Sequence, residues 1–123
     1  MAFTIKAKPT FKHTVQIPVP WDSSPEAGKL TLTFNHQKLD VMKDTHRKMI
    51  DEISSAVSDG RDVMEPQVDY IMSICSDWAL KDEFSRDNVL EMLQNYAKAF
   101  DAIATAYLSV MMNGKTEEER VKN

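Results

Sequence analysis

The spacing of apolar residues changes period once, near Gln37, and that single change limits the folds open to this chain. Before it, Phe11, His13, Val15 and Ile17 alternate with Lys12, Thr14, Gln16 and Pro18, and Leu30, Leu32 and Phe34 alternate with Lys29, Thr31 and Thr33. Period two places alternate side chains on opposite faces, so each run predicts a strand with one buried and one wet face. The segment between them, PVPWDSSPEAG, holds three prolines and ends in Gly28. It cannot continue a ladder, which predicts an antiparallel hairpin with a wide loop. Pro18 and Pro20 make the first strand fray into an edge. Phe3 and Ile5 form either a short further strand or an arm.

After Gln37 the period is helical. Leu39, Met42, His46, Met49, Ile50, Ile53 and Val57 make one stripe about five turns long, and Asp59-Gly60 supplies the stop, because glycine accepts the left-handed conformation at low cost. A second helix is predicted to begin near Pro66, with Val68, Ile71, Met72 and Cys75 on one face. Trp78 and Leu80 fall in a connector. Ser85 is a good N-cap for a third helix carrying Val89, Leu90 and Leu93, with Asp87 in its first turn. A fourth helix carries Phe100, Ile103, Ala104, Tyr107, Leu108 and Met111 and ends at Gly114. The fold class expected is therefore α+β, an N-terminal antiparallel hairpin packed on a domain of about four helices. Residues 1–36 form a strand-rich part, 37–113 a helical part and 114–123 a mobile polar tail, all within one domain of 123 residues.

Composition narrows the function classes. The hydrophobic fraction of 42% is enough for a core without disulfide or metal staples. The strand-rich part has four lysines against two acids, a balance of +2, while residues 37–123 have eleven basic residues against seventeen acidic ones, a balance of −6. A nucleic-acid binder that neutralises phosphates carries the opposite sign. One cysteine, Cys75, excludes an intramolecular disulfide framework and fits a reducing compartment. No apolar run approaches the ~18 to 20 residues of a membrane span, and the N-terminus lacks a signal-peptide core. A soluble cytoplasmic protein is the expectation.

A catalytic constellation is not found. The three glycines all fall at element ends, which leaves no loop to cradle a phosphate. His13 and His36 share the inward register of the two strands, but His46 lies ten residues further on, roughly 15 Å along a helix, so convergence on a metal is not expected. Cys75 lies on an apolar stripe and reads as an inert core thiol. Asp82, Glu83 and Asp101 read as solvated charge rather than an acid–base pair. Methionine is the unusual feature, with eight in the chain. Met42, Met49 and Met72 read as core. Met111 and Met112 are adjacent on the last helix and cannot both point inward, so one is displayed. Trp21 either caps the hairpin core or is displayed.

From Trp78 onward the chain runs WALKDEFSRDNVLEMLQNYAKAFDAIATAYLSVMMNGKTEEERVKN. This segment resembles the tail assembly chaperones of long-tailed, lambda-like bacteriophages. The matching pieces are Trp78, Leu80, Asp82 to Phe84, Val89 to Leu93, Asn95-Tyr96, Ala102-Ile103 and Ala106-Tyr107. The opening AFTIKAKPTFKHTVQIPVP and the KLTLTFNHQ that leads into the long helix resemble the same family's N-terminal strands. One departure stands out. Many relatives have proline after Asn-Tyr, whereas this chain has Ala97, which leaves the boundary between the third and fourth helices open.

The resemblance implies a non-enzymatic assembly factor without cofactors or metal. Such a protein binds and solubilises the long helical tape measure protein in the host cytoplasm and helps recruit tail tube subunits. It is expected to be absent from the mature virion. Relatives exist as a short product and a longer, frameshifted one, so this chain would be the short form, with the tail after Gly114 as the point of extension. The alternative is a structural virion protein, a head–tail connector or a tail-completion subunit. Adaptable apolar surface and a negative helical part suit a chaperone, and repeated binding along one partner favours homo-oligomers. The candidates for partner contact are apolar groups of the last helix and its approach, Trp78, Phe100, Tyr107, Met111 and Met112. Core packing is the competing role for Trp78, Phe100 and Tyr107.

Overall fold

The computed structural model describes residues 3–113. Strand β1 (Thr10–Gln16) pairs antiparallel with β2 (Lys29–Asn35), with Phe11 opposite Phe34, His13 opposite Leu32 and Val15 opposite Leu30. This is the register that the alternation predicts. Val15, Leu30, Leu32 and Phe34 are buried on the inner face, while Lys12, Thr14 and Gln16 stay exposed on the outer one. The ladder runs one step past the strands, where the Ile17 N–H donates to the Gly28 carbonyl at 2.7 Å. A Cβ on Gly28 would lie 1.8 Å from the Ile17 carbonyl oxygen, so only glycine lets the wide loop close there.

Helix α1 (Leu39–Asp59) follows the sheet almost directly, then α2 (Met64–Ile74), strand β3 (Cys75–Trp78), α3 (Arg86–Asn95) and α4 (Ala99–Asn113). Gly60 ends α1 at φ 71°, its N–H bonding back to the last turn, while the Arg61 N–H reaches the Ala56 carbonyl at 2.8 Å. That is a Schellman stop. The Ser85 side chain accepts from the Asn88 N–H and caps α3 as expected. Tyr96 is extended at the end of α3, which keeps α3 and α4 separate despite Ala97. The expected stop at Gly114 and the polar tail lie outside the described residues.

Two readings need correction. The sheet has three strands in the order β1-β2-β3, because residues assigned to a helix face and a connector form a second edge on β2. Cys75 leaves α2 rather than continuing its stripe, and it pairs with Phe34, while Trp78 pairs with Leu32. A register irregularity between Thr33 and Phe34 puts both ends of this four-residue strand inward, so it carries no period-two signal. The α1 stripe is also narrower than drawn. Met42, Met49 and Ala56 are buried and Ile53 partly so, whereas Leu39, Ile50 and Val57 are exposed. At 100° per residue these three lie some 80 to 100° round the helix from the buried line, and α1 packs mainly against α2, which covers only one side.

The core is continuous. Phe34 and Leu32 of the sheet meet Ile71 and Ile74 of α2, Leu93 of α3, and Ile103 and Tyr107 of α4. Arg86 pairs with Glu65 and Asp69, fastening α3 to α2 at the surface.

Candidate partner-binding surface

Of the five candidate residues, Trp78 and Tyr107 are core posts. Trp78 is 7% exposed, its ring meets Phe84 edge-on at 5.2 Å, and its indole N–H donates to the Asp82 carbonyl at 2.7 Å. It holds the connector against β3. Tyr107 is fully buried with its ring 5.1 Å from Phe34. Its hydroxyl donates to the Asn35 carbonyl at 2.7 Å and lies 3.3 Å from Gln37 Oε1. Burial holds that phenol above its ordinary pKa, so it remains a donor. Phe100 is half-buried, edge-on to Tyr70 at 5.9 Å. Met111 is half-buried and Met112 is 56% exposed, so the latter is the displayed member of the pair.

Met111 and Met112 face the start of α1. Together with His36, Gln37, Lys38, Leu39 and Met42 they line an open groove of about 360 Å³. Tyr107 builds this groove from below, since its hydroxyl ties the β2–α1 joint at Asn35 and Gln37 to α4. Gln37 in turn donates to Thr45 Oγ1 at 3.3 Å, which fixes the first turns of α1. Leu39 belongs to the groove and also begins the exposed ridge of α1. The ridge continues through Ile50 and Val57, about 27 Å along the axis at 1.5 Å per residue. His46 lies between them, edge-on to Tyr70 at 6.3 Å, and its Nδ1 is buried without a hydrogen-bond partner. An apolar helix is the shape that meets such a track along its length.

The ridge is what the sequence reading missed. The sequence puts its members in the same apolar stripe as the buried residues, because a spacing of three and four accommodates two adjacent ridges as easily as one wide stripe. The signal that separates them was present: Met42, Met49 and Ala56 repeat every seven residues, and Leu39, Ile50 and Val57 fall off that line.

A second, smaller concavity of about 150 Å³ opens at the far end of the hairpin, where Ile17, Leu30, Leu80, Met92 and Tyr96 converge. Trp21 leans on Tyr96 with ring centroids 5.5 Å apart yet stays 72% exposed. The loop tryptophan is therefore displayed while resting on the body.

The histidines do not meet. His36 lies beyond β2 and is exposed, which corrects its inward assignment; His13 faces Phe34 in the sheet and His46 faces Tyr70 in the helices. Among the described residues no group of three or more His, Cys, Asp or Glu could hold a metal ion. Cys75 is buried, and desolvation pushes its thiol up to about 12. No described helix is long and apolar enough to cross a membrane.

The fold and surface thus define a small α+β protein whose displayed chemistry is apolar contact along a helix and a groove. A family model described as phage tail assembly chaperone matches residues 1–123, the whole chain, and the protein belongs to that family. Comparison with curated proteins and with solved structures gives no match.

Proposed function

We propose that this protein shields an apolar helical stretch of the tape measure protein in the host cytoplasm while the tail assembles. The contact runs along Leu39, Ile50 and Val57 of α1 and into the groove at Met111 and Met112. The observation that carries this reading is that Leu39, Ile50 and Val57 are exposed apolar side chains on one side of α1, and that Leu39 also lines the groove with Met42, Met111 and Met112. Exposed apolar surface along one helix has a solvation cost that a partner helix removes. Met111 and Met112 suit a partner whose sequence varies along its length, because a thioether chain repacks at low cost. Trp78 and Tyr107 act from the core by holding the surface in shape, and Phe100 braces α4 on α2. The chemistry is binding, with no bond made or broken.

Copies self-associate along the tape measure protein, and a longer, frameshifted form recruits tail tube subunits. The assembled virion does not retain the protein. Co-expression with an apolar tape measure segment tests the central step. The wild type keeps the segment in the soluble fraction, and Met112→Asp lowers the recovered amount at least about threefold with an unchanged thermal midpoint, since an exposed side chain contributes little to folding. Equal recovery with both proteins would contradict the surface assignment. Mass spectrometry of purified particles that finds this polypeptide would favour a structural virion protein instead.

A further inference from the structure

The N-terminal arm is an apolar feature that the fold leaves uncovered. Residues 3–9 are all exposed, with Phe3 at 95% and Ile5 at 97%, as bare as in an extended chain. The chain bends at Ile5 and Lys6, where the Thr4 hydroxyl donates to the Lys6 carbonyl at 2.8 Å, and straightening that bend puts both side chains on one side. The arm is rooted beside the groove, because the Pro9 carbonyl accepts from the N–H of His36, a groove residue, at 2.9 Å. Ile5 lies four positions before that root and Phe3 six. Extended chain spans at most about 3.3 to 3.6 Å per residue, so the two side chains reach up to roughly 14 and 21 Å from it. The groove lies within that radius. Its rim residues Leu39 and Met112 are themselves about half exposed. A dry apolar cavity of about 150 Å³ takes up benzene, so a groove of about 360 Å³ has room for two large side chains. The smaller concavity at Ile17 and Tyr96 lies at the other end of β1, about seven residues or ~23 Å away.

We propose that residues 3–8 form a tethered plug that closes over the groove through Phe3 and Ile5 and swings out when a partner helix enters. Occupancy in the same molecule follows from the tether, which holds the plug at an effective concentration in the millimolar range. The unliganded surface is thereby shielded from unwanted association, and the structure shows the open form. Only the consequence for partner affinity rests on the function proposed above; the closure itself does not.

A nitroxide on Thr4→Cys tests closure, with Cys75 protected by burial. Methyl signals of Met111 and Met112 are compared between the otherwise native arm and an arm that also carries Phe3→Ser and Ile5→Ser. The three sites are exposed and contribute nothing to the core, so all variants fold. Closure predicts paramagnetic broadening at least about twofold stronger with the native arm. Equal broadening would overturn the proposal. So would broadening that persists when spin-labelled unenriched protein is mixed with unlabelled enriched protein, because the plug would then sit in another copy. For an apolar helical peptide, the double-serine arm should bind about three- to tenfold tighter, since closure reduces the competent fraction. An unchanged affinity would overturn the gating. If neither protein binds the peptide the partner surface is wrong, and the spin-label comparison still decides the arm.

Discussion

Tyr107 shows how much of the surface depends on one hydroxyl. Its ring fills the space under Phe34 while its oxygen joins α4 to the β2–α1 joint. Tyr107→Phe keeps the packing and removes the donor. The expected loss is about 1 to 2 kcal/mol, read as a lower urea midpoint with an unchanged slope. Buried titrating groups set the alkaline limit. Burial pushes Cys75 up to about 12 from an ordinary value near 9.0, and Tyr70 up to about 12 from 10.0. The native state therefore keeps protons that the unfolded chain releases first. This stability is fully present below about pH 9 and is lost as pH rises towards 12. Urea melts at pH 7 and pH 10.5 should show it, with a lower midpoint at the higher pH. A thiol reagent at pH 8 should likewise leave folded Cys75 largely unmodified.

At the scale of elements, legibility in the sequence follows the length of the periodic signal. Strands β1 and β2 and the N-cap of α3 were readable because seven-residue alternation and a Ser85 cap act locally. Strand β3 was not. Its four residues owe their strand geometry to pairing with β2, and the bulge erases their alternation. The groove was half legible. Two adjacent methionines on one helix signalled a displayed side chain, but their neighbours at the start of α1 meet them only through the tertiary fold. The ridge could not be told from the buried line because α1 packs mainly against one helix, α2, where a fully packed helix has several such neighbours. This gives a contrast within a single helix. Ile50→Glu, on the exposed ridge, should change stability by about 0.5 kcal/mol or less and abolish rescue of a tape measure segment. Met49→Glu, one residue away and buried, should cost about 3 kcal/mol or more, because a carboxylate without a partner enters the core. Urea melts of the two variants separate ridge from core.

At the scale of the whole molecule, the described residues combine a well-packed interior with apolar side chains on α1 and at the groove that they leave exposed. The sheet keeps a polar outer face, the helical part carries the negative charge, and these side chains run from the β2–α1 joint along α1. A chaperone acting as proposed would gain specificity from shape and from repetition along its client rather than from a few strong polar contacts. The most direct test of that account is a methyl NMR titration with an apolar helical peptide from the tape measure protein. The account predicts that shifts concentrate at Leu39, Ile50, Val57, Met111 and Met112, with Val15 and Ile103 in the core little changed. Saturable binding that instead moves only Trp21, Leu80 and Met92 at the far concavity, or no binding at all, would contradict it.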